Sequence, residues 1–247
     1  MERTVREAGG IVREIAARTS KTWSKADGSP VTEADLAVNK YLSDNLRPAR
    51  PDYAWLSEES EDDPARLTAK RVFVIDPIDG TVAFVKRRPH FTICAAVVED
   101  GVPIAAAVYN PMLDENFTAS AGGGAWLNGA RLRVSDRTVL EGARILASRN
   151  VFEDVRWGWP ELERDNRNSA AYRLTLVAAG RYDATISLTA KHDWDVAAAD
   201  LIAREAGGMV TTHRGEPLRY NRPTPVVASV VAAGPALHRL ILDRLGG

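Results

Sequence analysis

The stretch Asp76-Pro77-Ile78-Asp79-Gly80-Thr81 decides how this chain is read. It follows Arg71-Val72-Phe73-Val74-Ile75, an apolar run whose β-branched residues predict a buried strand. Two carboxylates therefore emerge at a strand end, separated by a proline and one further residue. Pro77 locks a φ angle and Gly80 admits conformations closed to other residues, so a sharp, fixed turn is expected. Like charges held this close raise each other's pKa unless a cation sits between them. The cation that suits such a site is a hard divalent metal such as Mg²⁺, which takes oxygen ligands and keeps waters for a phosphate.

Two more acidic clusters stand at the ends of other elements. Trp55-Leu56-Ser57-Glu58-Glu59-Ser60 carries a carboxylate pair after a short apolar stretch. Asp193-Trp194-Asp195 opens a helical pattern that runs through Val196 to Ala203. Taken singly, Glu58 and Glu59 read as solvated loop acids, and Asp193 or Asp195 as a helix cap. Taken with the Asp76 turn, the three clusters point to one metal centre, with Asp76 between them as a ligand shared by two ions.

Composition bounds the function. The 247 residues suffice for a large core in one domain or two closely packed halves. Thirty-three acids nearly balance thirty-two bases, so charge gives no argument for a nucleic-acid polymer or a membrane surface as partner. The single cysteine, Cys94, lies in the apolar run Phe91 to Val98 and reads as a core residue. With no leader pattern and no apolar run of transmembrane length, a cytoplasmic location is expected.

Along the chain, Val5, Ala8, Ile11, Val12, Ile15 and Ala16 have helical spacing, interrupted at Gly9-Gly10. Residues 23–30 read as a polar loop, and Thr32 as the N-cap of a helix that Pro48 and Pro51 end. Strands are expected at 71–76, 91–98 and 102–109, with Asp100-Gly101 as a hairpin turn. Short strands follow over 116–120 and 125–134. In the second half, strands are expected at 145–148, 182–188 and 226–232, and helices at 169–179, 195–206 and 235–245. This divides the chain into an α+β half, residues 1–140, and an α/β half, residues 141–247, packed as one catalytic unit.

The six-residue turn, the upstream Glu-Glu and the downstream Trp-Asp, in this order, resemble the signatures of the inositol monophosphatase superfamily of Mg²⁺-dependent, lithium-sensitive phosphatases. The resemblance runs from the Lys25 region to Gly207-Gly208. It implies an α+β fold, a five-layered αβαβα sandwich. It assigns Glu58, Asp76 and the Ile78 carbonyl to one Mg²⁺, and Asp76, Asp79 and Asp195 to a second. A third, weaker ion near Glu58 is common in relatives, and Mn²⁺ is a possible substitute. Such ions neutralise the phosphate, acidify a water and stabilise the leaving oxygen. The resemblance also pairs Thr81 with Asp35 in a proton relay, beside Glu58 as a catalytic acid. It puts Gly80, Thr81, Ser169, Arg173 and Asp195 against the substrate, and Lys25 and Asp27 in a flap over the site. Taken without it, Asp35 reads as a first-turn acid at a helix N-terminus. Helix N-termini at Gly80-Thr81 and at Asp195 would offer free N–H groups to phosphate oxygens. His90, His192 and His213 lack zinc-like spacing and read as surface or supporting residues.

Substrate choice is read from fewer residues. The segment Lys25 to Asp35 resembles the 3'(2'),5'-bisphosphate nucleotidase branch. Leu188 stands where inositol phosphatases tend to carry a glutamate that binds sugar hydroxyls, and an apolar side chain cannot do that. Arg173 matches a basic position that faces a second phosphate in nucleotidases, although an exposed helix arginine reads nearly as well. Val82-Ala83 departs from both branches. The expected substrate is thus a small phosphate ester, adenosine 3',5'-bisphosphate first, with inositol, histidinol or another sugar phosphate as alternatives. A catalytically inactive phosphate- or nucleotide-binding regulator is the alternative of another class. A monomer or homodimer is expected.

Overall fold

The computed structural model describes residues 1–18, 20–26 and 28–246. The chain opens with helix α1 (Glu2–Ala16), a hairpin of β1 (Thr22–Ser24) and β2 (Pro30–Thr32), and helix α2 (Glu33–Ala49). Next come β3 (Ala54–Ser57), β4 (Arg71–Asp79) and the short helix α3 (Thr81–Val85). Strands β5 (Thr92–Glu99), β6 (Val102–Asn110), β7 (Glu115–Ser120), β8 (Gly124–Leu127) and β9 (Ala130–Arg131) complete a seven-stranded sheet in the order β3-β4-β5-β6-β7-β8-β9. Only the β3–β4 pair in it is parallel.

The second half adds β10 (Arg144–Ala147), α4 (Arg149–Glu153), β11 (Glu163–Asp165), α5 (Ala170–Ala178), β12 (Ala184–Ser187), β13 (Lys191–His192) and α6 (Asp193–Glu205). It closes with β14 (Met209–Thr211), β15 (Val226–Val227), β16 (Val230–Ala233) and α7 (Pro235–Gly246). Here the sheet order is β11-β10-β12-β16-β14, while β13 and β15 form a separate pair.

Strand alternation explains the layering. Successive side chains of a strand face opposite sides. Phe73 and Ile75 therefore pack toward α1 and α2, while Val72 and Val74 pack toward α5 and α6. The same rule in the second sheet sends Ala232 to the α5–α6 layer and Val231 and Ala233 to α7. The helix pair α5 and α6 is thus buried on both sides, and every residue of α5 is buried. The outcome is the expected five layers: helix pair, sheet, helix pair, sheet, helix. No helix of the described residues is long and apolar enough to cross a membrane.

Several expectations are corrected. The polar stretch expected as a loop over 23–30 is the loop of a hairpin whose ends are strands, because residues 22–24 pair with residues 30–32. Strand β4 does not stop at Asp76 but continues to Asp79, with a register irregularity between these two acids. That break accommodates Pro77, which has no N–H for a ladder. The apolar run 226–232 is two strands in different sheets. Helix α1 runs through Gly9-Gly10 unbroken. A Cβ on Gly9 would lie 2.2 Å from Tyr109 Cε1, so Gly9 lets the tyrosine ring lie against the helix. Tyr109 is in turn held by Arg13 at 2.9 Å and Asp114 at 2.8 Å.

The two neighbouring glycines should therefore respond oppositely to the same substitution. Gly10 has open space around it, so Gly10→Ala should stabilise the fold by about 0.5–1 kcal/mol through helix propensity. Gly9→Ala should destabilise it by about 1–3 kcal/mol, because a locked ring must move. Urea unfolding of both variants checks the pair, and equal signs would refute the packing argument.

Candidate active site

Asp76, Asp79 and Asp195 converge although they come from β4 and the first turn of α6. One carboxylate oxygen from each lies within 4.8 Å of the others. Each aspartate is anchored through one oxygen. Asp76 Oδ1 accepts from the Ile78 N–H at 2.9 Å. Asp79 Oδ2 accepts from the Ser169 hydroxyl and the Ala171 N–H, both at 2.6 Å. Asp195 Oδ2 accepts from the His192 N–H at 3.0 Å.

Burial and mutual repulsion govern the titration of this cluster. Asp76 is pushed well above the ordinary carboxylate range by burial and by the charges of Glu58, Asp79 and Asp195. Burial likewise lifts Asp79 to about 6, against the hydrogen bonds from Ser169 and Ala171. Burial and the charges of Asp79 and Glu58 lift Asp195 to about 8. An all-oxygen set that cannot ionise comfortably by itself fits a hard divalent cation.

Glu58 lies at the edge of this cluster, close enough for its charge to act on Asp76 and Asp195. Its Oε1 accepts from the Lys25 ammonium at 2.7 Å, and Glu59 Oε1 accepts from the same group at 2.5 Å. Lys25 thus sits over the glutamates from the loop of the β1–β2 hairpin. Asp27, expected in the same flap, lies outside the described residues.

Thr81 and Asp35, which the resemblance pairs, are in hydrogen-bond contact. Thr81 Oγ1 lies 3.1 Å from Asp35 Oδ1 and 3.0 Å from the Ile78 carbonyl. Asp35 is buried and caps the start of α2, where its Oδ2 accepts from the Thr32 N–H at 2.8 Å and the Thr32 hydroxyl at 2.5 Å. One oxygen of Asp35 therefore serves the start of the helix and the other meets Thr81. Burial raises Asp35 to about 6. Gly80 has φ 96°, and a Cβ there would lie 3.2 Å from the His90 carbonyl oxygen and from Ser169. Only glycine fits that position without strain.

Ser169 is N-cap of α5, and its hydroxyl is turned to Asp79 and the Tyr172 N–H, so it holds a metal-candidate carboxylate in place. Arg173 is buried rather than exposed, which removes the surface-helix reading. Its Nε has no hydrogen-bond partner. Burial lowers its pKa while the charges of Asp79 and Asp195 oppose the shift. Lys191, which sequence reasoning missed, lines the same water-sized cavity as Arg173. A lone lysine in a two-residue strand carries no pattern that would have exposed it. His192 stacks on Trp194 at 4.5 Å and His213 meets the Ser229 hydroxyl at 2.8 Å, so these histidines have supporting roles. His90 stacks on Tyr172 at 6.1 Å.

Comparison with known proteins bears on this site. The profile of the Inositol monophosphatase family matches residues 2–245. Nus factor SuhB of Salmonella typhimurium is 34% identical over 257 residues, covering 98% of this chain and 93% of that protein. Inositol-1-monophosphatase of Bacillus subtilis is 32% identical, covering 97% and 92%. Among solved structures, the extragenic suppressor protein suhB of Bartonella henselae superposes with a TM-score of 0.86 at 29% identity, covering 98% of this chain and 95% of that one.

The raised carboxylates set a pH and metal dependence. Without a divalent ion, the folded chain binds more protons than the unfolded chain between about pH 4, where free aspartates titrate, and about pH 8, the value for Asp195. Stability must then fall as pH rises through this window. In chelator the Tm should drop from pH 5 to pH 8, and the gain in Tm on adding Mg²⁺ should grow over the same range. A Tm in chelator that rises with pH would sink the argument.

Proposed function

Since the chain belongs to the inositol monophosphatase family, we propose that it is a Mg²⁺-dependent phosphomonoester hydrolase that favours substrates bearing a second phosphate. The observation that carries the first part is the oxygen cluster of buried Asp76 and Asp79 and half-buried Asp195 beside the Thr81–Asp35 pair. Glu58, Asp76, the Ile78 carbonyl, Asp79 and Asp195 would hold the ions. When bound, these would neutralise phosphate charge, acidify the attacking water and stabilise the leaving oxygen.

The chain's own residues supply the proton path. As the water oxygen bonds to phosphorus and the ester P–O bond breaks, a water proton passes to the Thr81 oxygen and the leaving oxygen takes up a proton from solvent. The proton of Thr81 passes to Asp35 Oδ1, which burial has made a better acceptor than an ordinary aspartate. Thr32 keeps Asp35 turned toward Thr81 by occupying its other oxygen. Gly80 lets the backbone approach the phosphate closely.

The second part rests on Arg173 and Lys191. Arg173 and Lys191 line one water-sized cavity and both feel the charges of Asp79 and Asp195, and Arg173 Nε has no hydrogen-bond partner among the described residues. A buried guanidinium nitrogen without a partner is costly, and a second anionic group of the substrate that reached it would relieve it. Leu188 packs against the outer apolar core and offers no acceptor for sugar hydroxyls. Adenosine 3',5'-bisphosphate is the preferred substrate on these grounds. Inositol 1-phosphate is the second reading, favoured by the relatives named inositol-1-monophosphatase in Bacillus subtilis and Rhizobium meliloti.

Thr81→Ala and Asp35→Asn should each lower kcat by roughly 10²–10⁴-fold, with Mn²⁺ binding retained. Their combination should cost little more than either alone. Near-normal turnover by Thr81→Ala would show that another group accepts the proton. For substrate choice, Arg173→Ala should reduce kcat/KM for adenosine 3',5'-bisphosphate by roughly 10- to 100-fold more than for inositol 1-phosphate, the worth of one charge-assisted hydrogen bond. Equal losses would make Arg173 a counter-ion for the carboxylates, and better turnover of inositol 1-phosphate would favour the second reading.

A further inference from the structure

Away from the acids, the end of α1, strand β1, helix α3 and the loop after it enclose a hollow of about 380 Å³. Its volume is within the range of small-molecule sites, roughly 300–1,000 Å³. The floor is aromatic: Phe84 and Phe91 are buried and meet edge to face at 5.3 Å. Val85 and Met112 add apolar wall and are 44% and 46% exposed, so the apolar surface continues to the mouth. Among the described residues, no acidic side chain lines the hollow.

Three arginines stand around it. Arg18 is matched by Glu33. Arg87 and Arg88 make no ion pair or side-chain hydrogen bond among the described residues. In a chain whose formal charge is only −1, two unmatched guanidinium groups over an acid-free apolar hollow form a local positive site. The combination excludes a metal ion, which needs acids, and offers no long basic stripe for a nucleic-acid polymer. It suits a small anion with an apolar body: guanidinium forks take a carboxylate or phosphate head, and the two phenylalanines take a ring or branched chain.

We propose that this hollow is a second ligand site, separate from the carboxylate cluster, for a small amphiphilic anion. Its position gives the occupant a route to the active site. The hollow touches α3, which begins at Thr81, and Thr22 of β1, the strand that leads to Lys25 and through it to Glu58 and Glu59. A bound anion would brace α3 against the hairpin. The proposal does not depend on the phosphatase reading.

Isothermal titration calorimetry with 2-naphthoate on the full chain tests it. One molecule should bind per chain, and saturating Mg²⁺ with inorganic phosphate should not displace it. The double variant Arg87→Glu, Arg88→Glu should weaken binding at least tenfold while keeping the wild-type circular dichroism spectrum. Val85→Trp, which replaces an exposed wall residue, should weaken it by steric filling and guards against misfolding of the charge variant. Displacement of 2-naphthoate by phosphate, or unweakened binding to both variants, would overturn the proposal. So would no binding together with a change of solution mass in the double variant, which would assign the hollow to an interface between copies of this chain.

Discussion

Mutual repulsion among buried carboxylates is the constraint on which the functional end of this molecule depends. Asp76, Asp79 and Asp195 are brought within a few ångströms of one another in a setting that raises all three pKa values. Nothing about such a cluster favours folding by itself. It persists because each carboxylate is tied by one oxygen to backbone N–H groups or a serine hydroxyl whose positions the surrounding layers dictate. The strain is offset by the large apolar cores on either side of the central helix pair. A cation then completes an arrangement the scaffold already holds, which is how preorganised sites work.

The layering supplies the anchors. Strand β4 delivers Asp76 and Asp79 at its irregular end, and α6 delivers Asp195 in its first turn. Helix α5, buried between the two sheets, presents Ser169 and the Ala171 N–H to Asp79. From the outer helix layer, α2 contributes Asp35, so both helix layers nearest the first sheet meet at one sheet end. The hairpin that precedes α2 places Lys25 on Glu58 and Glu59. An ion held by Glu58, as proposed, would compete with this ammonium for the glutamate oxygen, which would link hairpin position to ion loading. Membership of the inositol monophosphatase family accords with this arrangement of acids.

Much of the fold and site was legible in the chain because local signals agreed with tertiary outcome. The run Val72 to Ile75 was legible as a buried strand, Thr32 and Ser169 stand where caps are needed, and Asp100-Gly101 makes the hairpin turn with positive φ at both residues. The acids of the site stood out because carboxylates at strand and helix ends, in a fixed order, have few uses besides a metal. Less legible were elements whose formation depends on a distant partner. The hairpin of β1 and β2 has an exposed first strand and no apolar alternation. The run 226–232 looks continuous, yet its two ends pair with different strands.

What the sequence determined by itself was the chemistry on offer: a turn bearing two acids, their companions at Glu58 and Asp195, a threonine beside them and a buried apolar alternation able to make layers. Those follow from residue type and spacing, which are local. Only the tertiary structure decided the facing of side chains. It turned Ser169 toward Asp79, buried Arg173 beside Lys191, split the two oxygens of Asp35 between helix cap and Thr81, and left Arg87 and Arg88 unmatched over two phenylalanines. Such outcomes depend on which elements pack together at separations of many residues, and a contact between distant segments leaves no periodicity in the chain for a reader to find.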